Sequence, residues 1–425
     1  MKRVLIVTYY WPPTGGSGVQ RWVKFSKYLP SFGWQPVIYT PSNPERLAVD
    51  ESLLKEIPAE AEIIRTPIRE PYDIYRRFFG KKEGKDQVNP LNAQKKSLKQ
   101  KFAVLVRGNF FIPDPRVGWV KPSVEFLKGY LREHPVDVIV TTGPPHSVHL
   151  IGLGVKKATG LRWIADFRDP WTEMFYFKHM GLSPVAKARH RSLEQQVLDG
   201  ADGIISVTPL VQKDFQARTS TKVHLITNGY DEEDFADIPE RTDGEFRIVH
   251  TGLFASDGNP LNLWDVLKEM CAEDGEFRKA LRIKLIGKTD REITAALEER
   301  GLGPNLQDEG YLPHDVTVKE QSGADILILP LRQEPEYRKV LPGKIFEYLA
   351  ARRPVLGIGQ EDGAAAAVLE ETGAGMMFGW DRKDPLREFI GREWEKRLDG
   401  PSEPLDSETE QYTRKALTEK LTGIL

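Results

Sequence analysis

The 425-residue sequence has one cysteine, Cys271, and a single thiol can form neither an internal disulfide nor a cysteine-based zinc site. It has no uninterrupted run of about 18 apolar residues, the length that a membrane-spanning helix needs. The apolar run at 4–11 is too short for a signal peptide, so we predict a buried first strand there. Neither sign of charge is in excess, since 60 basic side chains stand against 62 acidic ones, whereas dedicated nucleic-acid-binding proteins are strongly basic. The sequence therefore favours a cytoplasmic protein without a nucleic-acid partner.

Short β-branched runs alternate with amphipathic helical stretches along the chain. Continuous apolar strands separated by helices are typical of a parallel sheet covered on both faces. The first series of predicted strands covers 4–10, 34–41, 136–143, 161–167 and 202–208. The second series covers 246–252, 281–287, 306–311, 324–330 and 353–359. Because the chain is also about three times as long as a usual domain, we predict an α/β protein with two Rossmann-like, doubly wound parallel-sheet domains.

The boundary between the two predicted domains is a polar segment. Residues 227–245, TNGYDEEDFADIPERTDGE, are acidic and carry glycine and proline, which is linker composition. We therefore predict an N-terminal domain at 1–225, a linker at 226–245 and a C-terminal domain at 246–400.

Residues 76–107 form a basic segment with ten Lys or Arg and two Asp or Glu, a local excess of +8 in a chain of net charge -2. Apolar residues are interleaved with these charges. Two interpretations remain open. The segment is either a solvated insertion or a surface that contacts anionic lipid headgroups, which would place the protein at the inner face of the membrane.

A glycine-rich loop, PPTGGSG (12–18), leads from the first strand into a helix. Gly16 and Gly18 would let the backbone approach an anionic group, and the helix N-terminus offers unpaired N–H groups. The spacing is not the dinucleotide fingerprint, because Arg21 stands where its third glycine would be. The alternative is a tight strand-to-helix connection.

The segment DFRDPW (166–171) lies at the carboxyl end of the fourth predicted strand, the edge where ligands bind in open α/β sheets. Carboxylates, a guanidinium and an indole together suit a sugar. The candidate acceptor-binding residues are Asp166, Arg168, Asp169 and Trp171. The alternative is a structural Arg–Asp pair that caps the strand.

His146 follows the third predicted strand and begins a helix, so its imidazole could face the same edge as Asp169. It could orient a substrate hydroxyl, or it could simply be a helix-start residue with Ser147 as the cap.

The run RKVLPGKIFEYLA (338–350) predicts another helix start, with Pro342 in the first turn and Lys344 and Glu347 on one face. A cation near a helix N-terminus opposes the dipole, and a diphosphate would supply the missing anion. Glu347 could accept hydrogen bonds from two ribose hydroxyls. The alternative is a weak Lys–Glu surface pair.

The loop at 12–18, the NGYDEEDF segment (228–235) and the helix PGKIFEYLAARRPVLG (342–357) resemble retaining glycosyltransferases of the GT-B fold, specifically glycosyltransferase family 4. VHTGLFASDGNP (249–260) resembles the start of the family's nucleotide domain. PPHS (144–147) and DFRDPW are most similar to a branch that builds bacterial surface polysaccharides. The resemblance implies two domains that face each other across a cleft, and a last helix within 401–425 that returns to the N-terminal domain.

The resemblance also implies roles for individual residues. Glu347 matches the family's second glutamate, which holds the donor ribose. Gly16 and Gly18 belong to the loop that faces the donor phosphates, and Gly252 belongs to the strand-and-loop that opens the nucleotide domain. The residues that match the base-contacting backbone are Gly310, Tyr311 and Leu312. The candidate catalytic residues are His146, Asp169 and Lys344.

The sequence departs from the family pattern at three places. Lys339 stands where the first of two glutamates is usual, residues 255–260 lack the usual Arg and Lys, and Thr141-Thr142 replaces a histidine. The departures give more weight to Arg338, Lys339 and Lys344 as cations for the leaving diphosphate.

The function implied is transfer of a sugar from a nucleoside diphosphate to a hydroxyl of a glycan or a lipid-linked sugar, with retention and with no metal or other cofactor. A nucleotide-sugar epimerase and a non-catalytic nucleotide-sugar-binding protein are the alternatives. A nicotinamide oxidoreductase is least favoured, since the dinucleotide fingerprint is missing.

Overall fold

The computed structural model describes residues 1–45, 49–68, 105, 108–174, 177, 180–235, 243–400 and 403–425. The chain divides into two compact units. The first comprises Met1–Thr227 and Leu417–Leu425, and the second comprises Asn228–Ala416. Apart from Leu105, the basic segment 76–107 lies outside the described residues.

The described part of the first unit contains one seven-stranded sheet. Its strands are β1 (Lys2–Thr8), β2 (Trp34–Pro41), β3 (Glu62–Thr66), β4 (Val138–Gly143), β5 (Arg162–Phe167), β6 (Gly203–Ser206) and β7 (Val223–Leu225). They lie in the order β3-β2-β1-β4-β5-β6-β7, and all neighbours are parallel. The helices are α1 (Ser17–Tyr28), α2 (Val120–Glu133), α3 (Ser147–Thr159), α4 (Pro184–Gly200) and α5 (Pro209–Gln216).

The first strand shows why this sheet has a core on both faces. Val4, Leu5, Ile6 and Val7 are all fully buried. Leu5 and Val7 belong to one apolar cluster, whereas Val4 and Ile6 belong to another. Successive side chains of a strand point to opposite faces, so an unbroken apolar run supplies both cores.

The second unit contains a six-stranded parallel sheet in its described part. Its strands are β8 (Phe246–Thr251), β9 (Leu281–Ile286), β10 (Leu306–Gly310), β11 (Ile326–Pro330), β12 (Val355–Ile358) and β13 (Gly375–Phe378). They lie in the order β10-β9-β8-β11-β12-β13. The helices are α6 (Leu261–Glu273), α7 (Gly275–Ala280), α8 (Arg291–Glu299), α9 (His314–Ser322), α10 (Lys344–Ala351), α11 (Ala364–Thr372) and α12 (Asp384–Asp399). The predicted fold class, two doubly wound α/β sheets, is confirmed.

The chain ends in helix α13 (Arg414–Thr422), which is shorter than the predicted span of 401–425. The hydroxyl of Thr413 accepts a hydrogen bond from the amide of Ala416, which fixes where the helix begins. Leu417 and Leu421 then pack in the core of the first unit. Before Thr413, residues 403–409 have no regular secondary structure.

Short 3-10 helices connect these elements. They lie at Leu29–Phe32, Ser52–Glu56, Val117–Trp119, Glu232–Phe235, Ser256–Gly258, Gly303–Asn305, Pro335–Lys339 and Glu410–Tyr412. Among the helices of the described residues, none combines the length and the apolar character needed to cross a bilayer.

Candidate active site

Each sheet has a point where the strand order reverses, between β1 and β4 in the first unit and between β8 and β11 in the second. In open α/β sheets, ligands bind beyond the carboxyl ends of the strands at such points. The predicted site residues lie at or near the carboxyl ends of the strands, and the two units are described in turn.

Three glycines lie at the carboxyl ends of adjacent strands of the second unit. Gly252, Gly287 and Gly310 have φ of 89°, 116° and 63°, a left-handed region that favours glycine. The amide of Gly287 donates to the carbonyl oxygen of Gly310 at 2.6 Å. A Cβ atom on Gly287 would lie 2.4 Å from the carbonyl oxygen of Gly252. Gly252 and Gly310 were predicted from the sequence, whereas Gly287 was not, although its position after the strand LRIKLI was the available signal.

Lys344 is the first residue of α10, and its side chain reaches the end of β8. Its Nζ lies 2.9 Å from Nε2 of His250 and 3.4 Å from the carbonyl oxygen of Leu253. A Cβ atom on Gly252 would lie 3.7 Å from the same Nζ. The structure therefore brings together Lys344 and Gly252, and it adds His250, which the sequence analysis missed.

The charge of Lys344 is held in an unfavourable environment. Burial lowers the pKa of Lys344 to about 8, while the charge of Glu347 acts in the opposite direction. The ammonium group also stands at a helix N-terminus, where the dipole favours anions. Pro342, predicted within the first turn, lies just before it.

Glu347 lies one turn further along α10. Its Oε2 accepts a hydrogen bond of 3.0 Å from the amide of Gln321, which also donates to the hydroxyl of Thr251 at 3.0 Å. Tyr348 completes the network, because its hydroxyl accepts from the amide of Thr251 at 3.0 Å. Oε1 of Glu347 has no hydrogen-bond partner within the described parts of the chain. The network thus fixes one carboxylate oxygen and leaves the other for a ligand.

The remaining donor-side candidates differ in their surroundings. Arg338 lies in the 3-10 helix Pro335–Lys339, and its guanidinium pairs with the carboxylate of Asp362 at 2.8 Å. The sequence predicted Arg338 as a cation for the leaving diphosphate, and its side chain already has a counter-ion in Asp362. Lys339 is half-buried in the same helix. Tyr311 is 89% exposed after β10, and Leu312 packs against a core cluster.

In the first unit, Arg168 links the start of α1 to the end of β4 and is not the ligand-facing fork that the sequence predicted. Its guanidinium donates to the carbonyl oxygens of Gly18, Gly143 and Pro144. A Cβ atom on Gly18 would lie 2.9 Å from Nη1 of Arg168, so glycine is what permits this approach. Gly16, with φ 105°, is the residue before the first turn of α1.

Asp166, which the sequence predicted as an acceptor-binding residue, does not face a ligand site. Its carboxylate is completely buried, and both of its oxygens accept hydrogen bonds from the protein. Arg21 donates to both of its oxygens, at 3.0 and 3.2 Å. The indole of Trp22 and the hydroxyl of Thr142 donate to Oδ2 at 2.7 and 2.9 Å. Burial acts to raise the pKa of Asp166, but Arg21 and Trp22 outweigh it and hold the pKa below its usual value. An Arg–Asp pair does cap this strand, with Arg21 as the partner.

Trp171 and His146 are core residues and do not line an open edge. Their rings stack at 4.8 Å with an interplanar angle of 3°, and the two side chains are 2% and 6% exposed. The indole of Trp171 donates to Nδ1 of His190. The side chain of Asp114, not that of Ser147, caps helix α3, since it accepts from the amide of Ser147 at 2.8 Å.

Asp169 is the predicted acceptor-side residue that has no hydrogen bond or ion pair within the described parts of the chain. Burial raises the pKa of its carboxyl group, although the charge of Arg168 acts in the opposite direction. A half-buried carboxylate beyond the carboxyl end of β5 is suited to accept hydrogen bonds from sugar hydroxyls.

We expect the buried histidine His149 to make the first unit sensitive to acid. Burial lowers its pKa to about 3 from the usual 6.5, so below pH 6.5 the unfolded chain binds a proton that the native state does not. As the pH is lowered below 6.5, the contribution of this residue should reduce the free energy of unfolding by about 1.4 kcal/mol per pH unit. Between pH 6.5 and pH 5 the reduction should be about 2 kcal/mol. Urea unfolding against pH checks this, with His149→Phe as the comparison, because the ring stacks on Phe167. An unchanged slope in the variant would contradict the assignment.

No group of three or more His, Cys, Asp or Glu side chains is arranged to hold a metal ion in the described ranges.

Residues 86–234 match the sequence profile of Glycosyltransferase Family 4. TuaH of Bacillus subtilis (strain 168), assigned to teichuronic acid biosynthesis as a glycosyltransferase, is 24% identical over 205 residues. That match covers 46% of this chain and 49% of TuaH, so the chain spans about half the length of this curated relative.

Solved structures share the fold over nearly their whole length. A glycosyltransferase from Rickettsia africae ESF-5 superposes with a TM-score of 0.60 at 14% identity, covering 100% of this chain and 97% of its own. WaaG, a glycosyltransferase involved in lipopolysaccharide biosynthesis, superposes with a TM-score of 0.52 at 14% identity, and the match covers 99% of each chain. These likenesses show the two-sheet fold that is called GT-B.

Proposed function

We propose that the chain is a member of glycosyltransferase family 4, whose profile its residues 86–234 match, and that it transfers a sugar from a nucleoside diphosphate to an acceptor hydroxyl. The transfer proceeds with retention of configuration, and the product is a cell-surface polysaccharide or glycolipid. The acceptor is a glycan or a lipid-linked sugar. The descriptions of two similar proteins support this assignment. TuaH is described as a glycosyltransferase of teichuronic acid biosynthesis, and WaaG as one involved in lipopolysaccharide biosynthesis.

One observation carries the proposal: Lys344 is held beside Gly252 at the carboxyl end of β8 without a direct carboxylate partner among the described residues. A diphosphate at this helix N-terminus would supply the missing negative charge. As the diphosphate leaves the sugar, its charge grows, so a cation fixed at this point stabilises the transition state more than the bound donor. No metal or other cofactor is needed in this proposal, and activity that persists in a chelator would support that.

The nucleotide would bind along the same edge. Oε1 of Glu347 is available to ribose hydroxyls, because Gln321 occupies only Oε2. The exposed ring of Tyr311, after Gly310, lies at the end of β10 and suits the base. In the first unit, Asp169 is the carboxylate that we propose for the acceptor.

The experiment that tests the function has two stages. A thermal-shift screen over nucleoside diphosphates identifies the base, because a bound ligand raises the apparent stability. The sugar nucleotide is then incubated with and without acceptor glycans. Diphosphate released together with a new glycosidic bond supports transfer. An epimer formed from the donor alone would indicate an epimerase, and binding without any turnover would indicate a non-catalytic protein.

Glu347→Ala should weaken binding of the identified nucleoside diphosphate by about 10- to 100-fold, the usual cost of losing a hydrogen bond to a charged group. Calorimetric titration of the nucleotide measures this. The matched control is Glu299→Ala, an exposed carboxylate at the end of α8. Wild-type affinity in Glu347→Ala would remove the ribose role.

We also propose that the basic segment 76–107 holds the protein on anionic lipid, which would place it peripherally at the inner face of the membrane. The support is its excess of +8 among interleaved apolar residues. Vesicle sedimentation at low and high salt tests this. Binding to vesicles with anionic lipid at low salt, lost with the substitutions Lys95→Gln, Lys96→Gln and Lys99→Gln, is expected. Equal sedimentation with purely zwitterionic vesicles would contradict it.

A further inference from the structure

His250 is a buried histidine whose position has no assigned purpose in the proposed reaction. It is the fifth residue of β8, two residues before Gly252, and its side chain is completely buried. Its ring stacks on Phe254 with centroids 4.2 Å apart and an interplanar angle of 29°. The packing therefore fixes the ring plane, and Nε2 lies 2.9 Å from Nζ of Lys344.

The direction of this hydrogen bond follows from the chemistry of the two groups. An ammonium group has three donors and no acceptor, so Nε2 of His250 must be the unprotonated nitrogen and Nδ1 must carry the proton. Nδ1 is buried and has no hydrogen-bond partner in the described part of the chain. Burial and the charge of Lys344 lower the pKa of His250 well below 6.5, so the ring stays neutral and able to accept at neutral pH.

Few charged groups face Lys344. Glu347 acts on it from its own helix but forms its hydrogen bond with Gln321. Tyr348, also on α10, bonds to Thr251 of β8. The carbonyl oxygen of Leu253 is 3.4 Å from Nζ, at the long end of hydrogen bonding. The shortest polar contact of the ammonium group is therefore the one with His250.

We propose that His250 is a positioning residue for donor cleavage: its Nε2 atom accepts a hydrogen bond from Lys344 and holds that ammonium group at Gly252, where the leaving diphosphate arrives. The inference rests on the proposed function. A neutral acceptor suits this task better than a carboxylate, because it orients the ammonium group without neutralising the charge that the diphosphate requires.

The hydrogen bond from Lys344 to His250 affects the protonation of Lys344, which a purely structural role of the histidine would not. A hydrogen bond to the charged form of a group favours that form, so His250 raises the pKa of Lys344 above the value that burial alone would give. Removing the acceptor should therefore lower the pKa of Lys344 further. In the free enzyme, Lys344 should give the kcat/KM profile an alkaline limb near pH 8, and loss of the acceptor should move this limb to lower pH.

The test compares His250→Leu, His250→Gln and Phe254→Leu. Leucine removes the acceptor, whereas the amide oxygen of glutamine can replace it. Phe254→Leu disturbs the packing of the ring and keeps the hydrogen bond. We expect His250→Leu to lower kcat/KM for the sugar nucleotide about tenfold and to shift the alkaline limb of the profile to lower pH. We expect His250→Gln to keep most of the wild-type kcat/KM, with the alkaline limb at the wild-type pH. We expect Phe254→Leu to leave the pH of the alkaline limb unchanged.

NMR provides two readouts that need no turnover. In lysine-labelled protein, the Lys344 signal should titrate near pH 8 in the wild type and at a lower pH in His250→Leu. In histidine-labelled wild type, the ring nitrogen shifts of His250 should show the proton on Nδ1, which keeps the test open if His250→Leu does not fold. An unchanged Lys344 titration, or a proton on Nε2, overturns the inference. Absence of any transfer by wild-type protein would instead overturn the proposed function and leave the NMR comparison valid.

Discussion

Replacing Lys344 by alanine should lower kcat for sugar transfer by about 10²- to 10³-fold, the usual cost of removing one preorganised group that stabilises developing negative charge. The reason is the position of its Nζ beside Gly252 and His250, at the carboxyl end of β8. Steady-state kinetics with the donor identified by the screen measures the change. Because the effect belongs to the transition state, kcat should fall more than the affinity for the nucleotide.

The matched control is Lys396→Ala. That lysine is 62% exposed on α12 and pairs with Glu393, so its loss should leave kinetics unchanged. Wild-type kcat in Lys344→Ala would contradict the proposed role, and a rise in KM with unchanged kcat would restrict Lys344 to binding.

A second substitution at position 344 should change stability and activity in opposite directions. The pKa of Lys344 in the folded protein, about 8, is below the usual 10.5, so the native state binds protons less readily than the unfolded chain. Keeping this lysine charged at pH 7 therefore costs folding free energy, and stability rises between pH 8 and 10.5 as the charge is lost. Lys344→Met should raise the thermal midpoint of the free protein while it abolishes most of the activity. Such a trade-off is typical of active sites.

The sequence was informative where a strand is long and apolar, and less so at the edges of the sheets. The prediction for 34–41 coincides with β2, whose residues are mostly buried. In contrast, β3 alternates between partly buried and exposed residues, as an edge strand does, and β7 has only three residues. β13, GMMF, lacks β-branched residues. These three strands depend on a neighbour for their hydrogen bonds, which local patterns do not reveal.

The candidate site was only partly predictable for a related reason. Charges near helix starts can be recognised locally, and this led to Lys344 and Glu347, whereas Gly252 was reached through the family resemblance. The partners that define their chemistry are distant in sequence: His250 is 94 residues from Lys344. Burial decided the other cases. His146 and Trp171 have residue types that suit sugar binding, but they stack on each other in the core.

Asp166→Ala should destabilise the first unit by about 3–5 kcal/mol, the cost of leaving a buried charge without its partner. Arg21 is 1% exposed, and its guanidinium also donates to the carbonyl oxygens of Ile226 and Thr227 at 2.9 and 2.6 Å. Without the carboxylate, this cation stays buried, and the donors of Trp22 and Thr142 lose their acceptor as well. Since the two units can unfold separately, hydrogen exchange in β5 should be measured alongside urea unfolding.

Two comparisons make this prediction specific. Glu125→Ala removes the partner of Lys128 in a surface pair of the first unit whose side chains are 65% and 39% exposed, and it should cost less than about 1 kcal/mol. The double variant Arg21→Met with Asp166→Leu should be more stable than Asp166→Ala, because no buried charge is left unpaired. A stable Asp166→Ala protein with a raised KM for the acceptor would restore the acceptor-binding role. Loss of stability would instead support a structural role for this carboxylate as the partner of Arg21, which also donates to the carbonyl oxygen of Thr227.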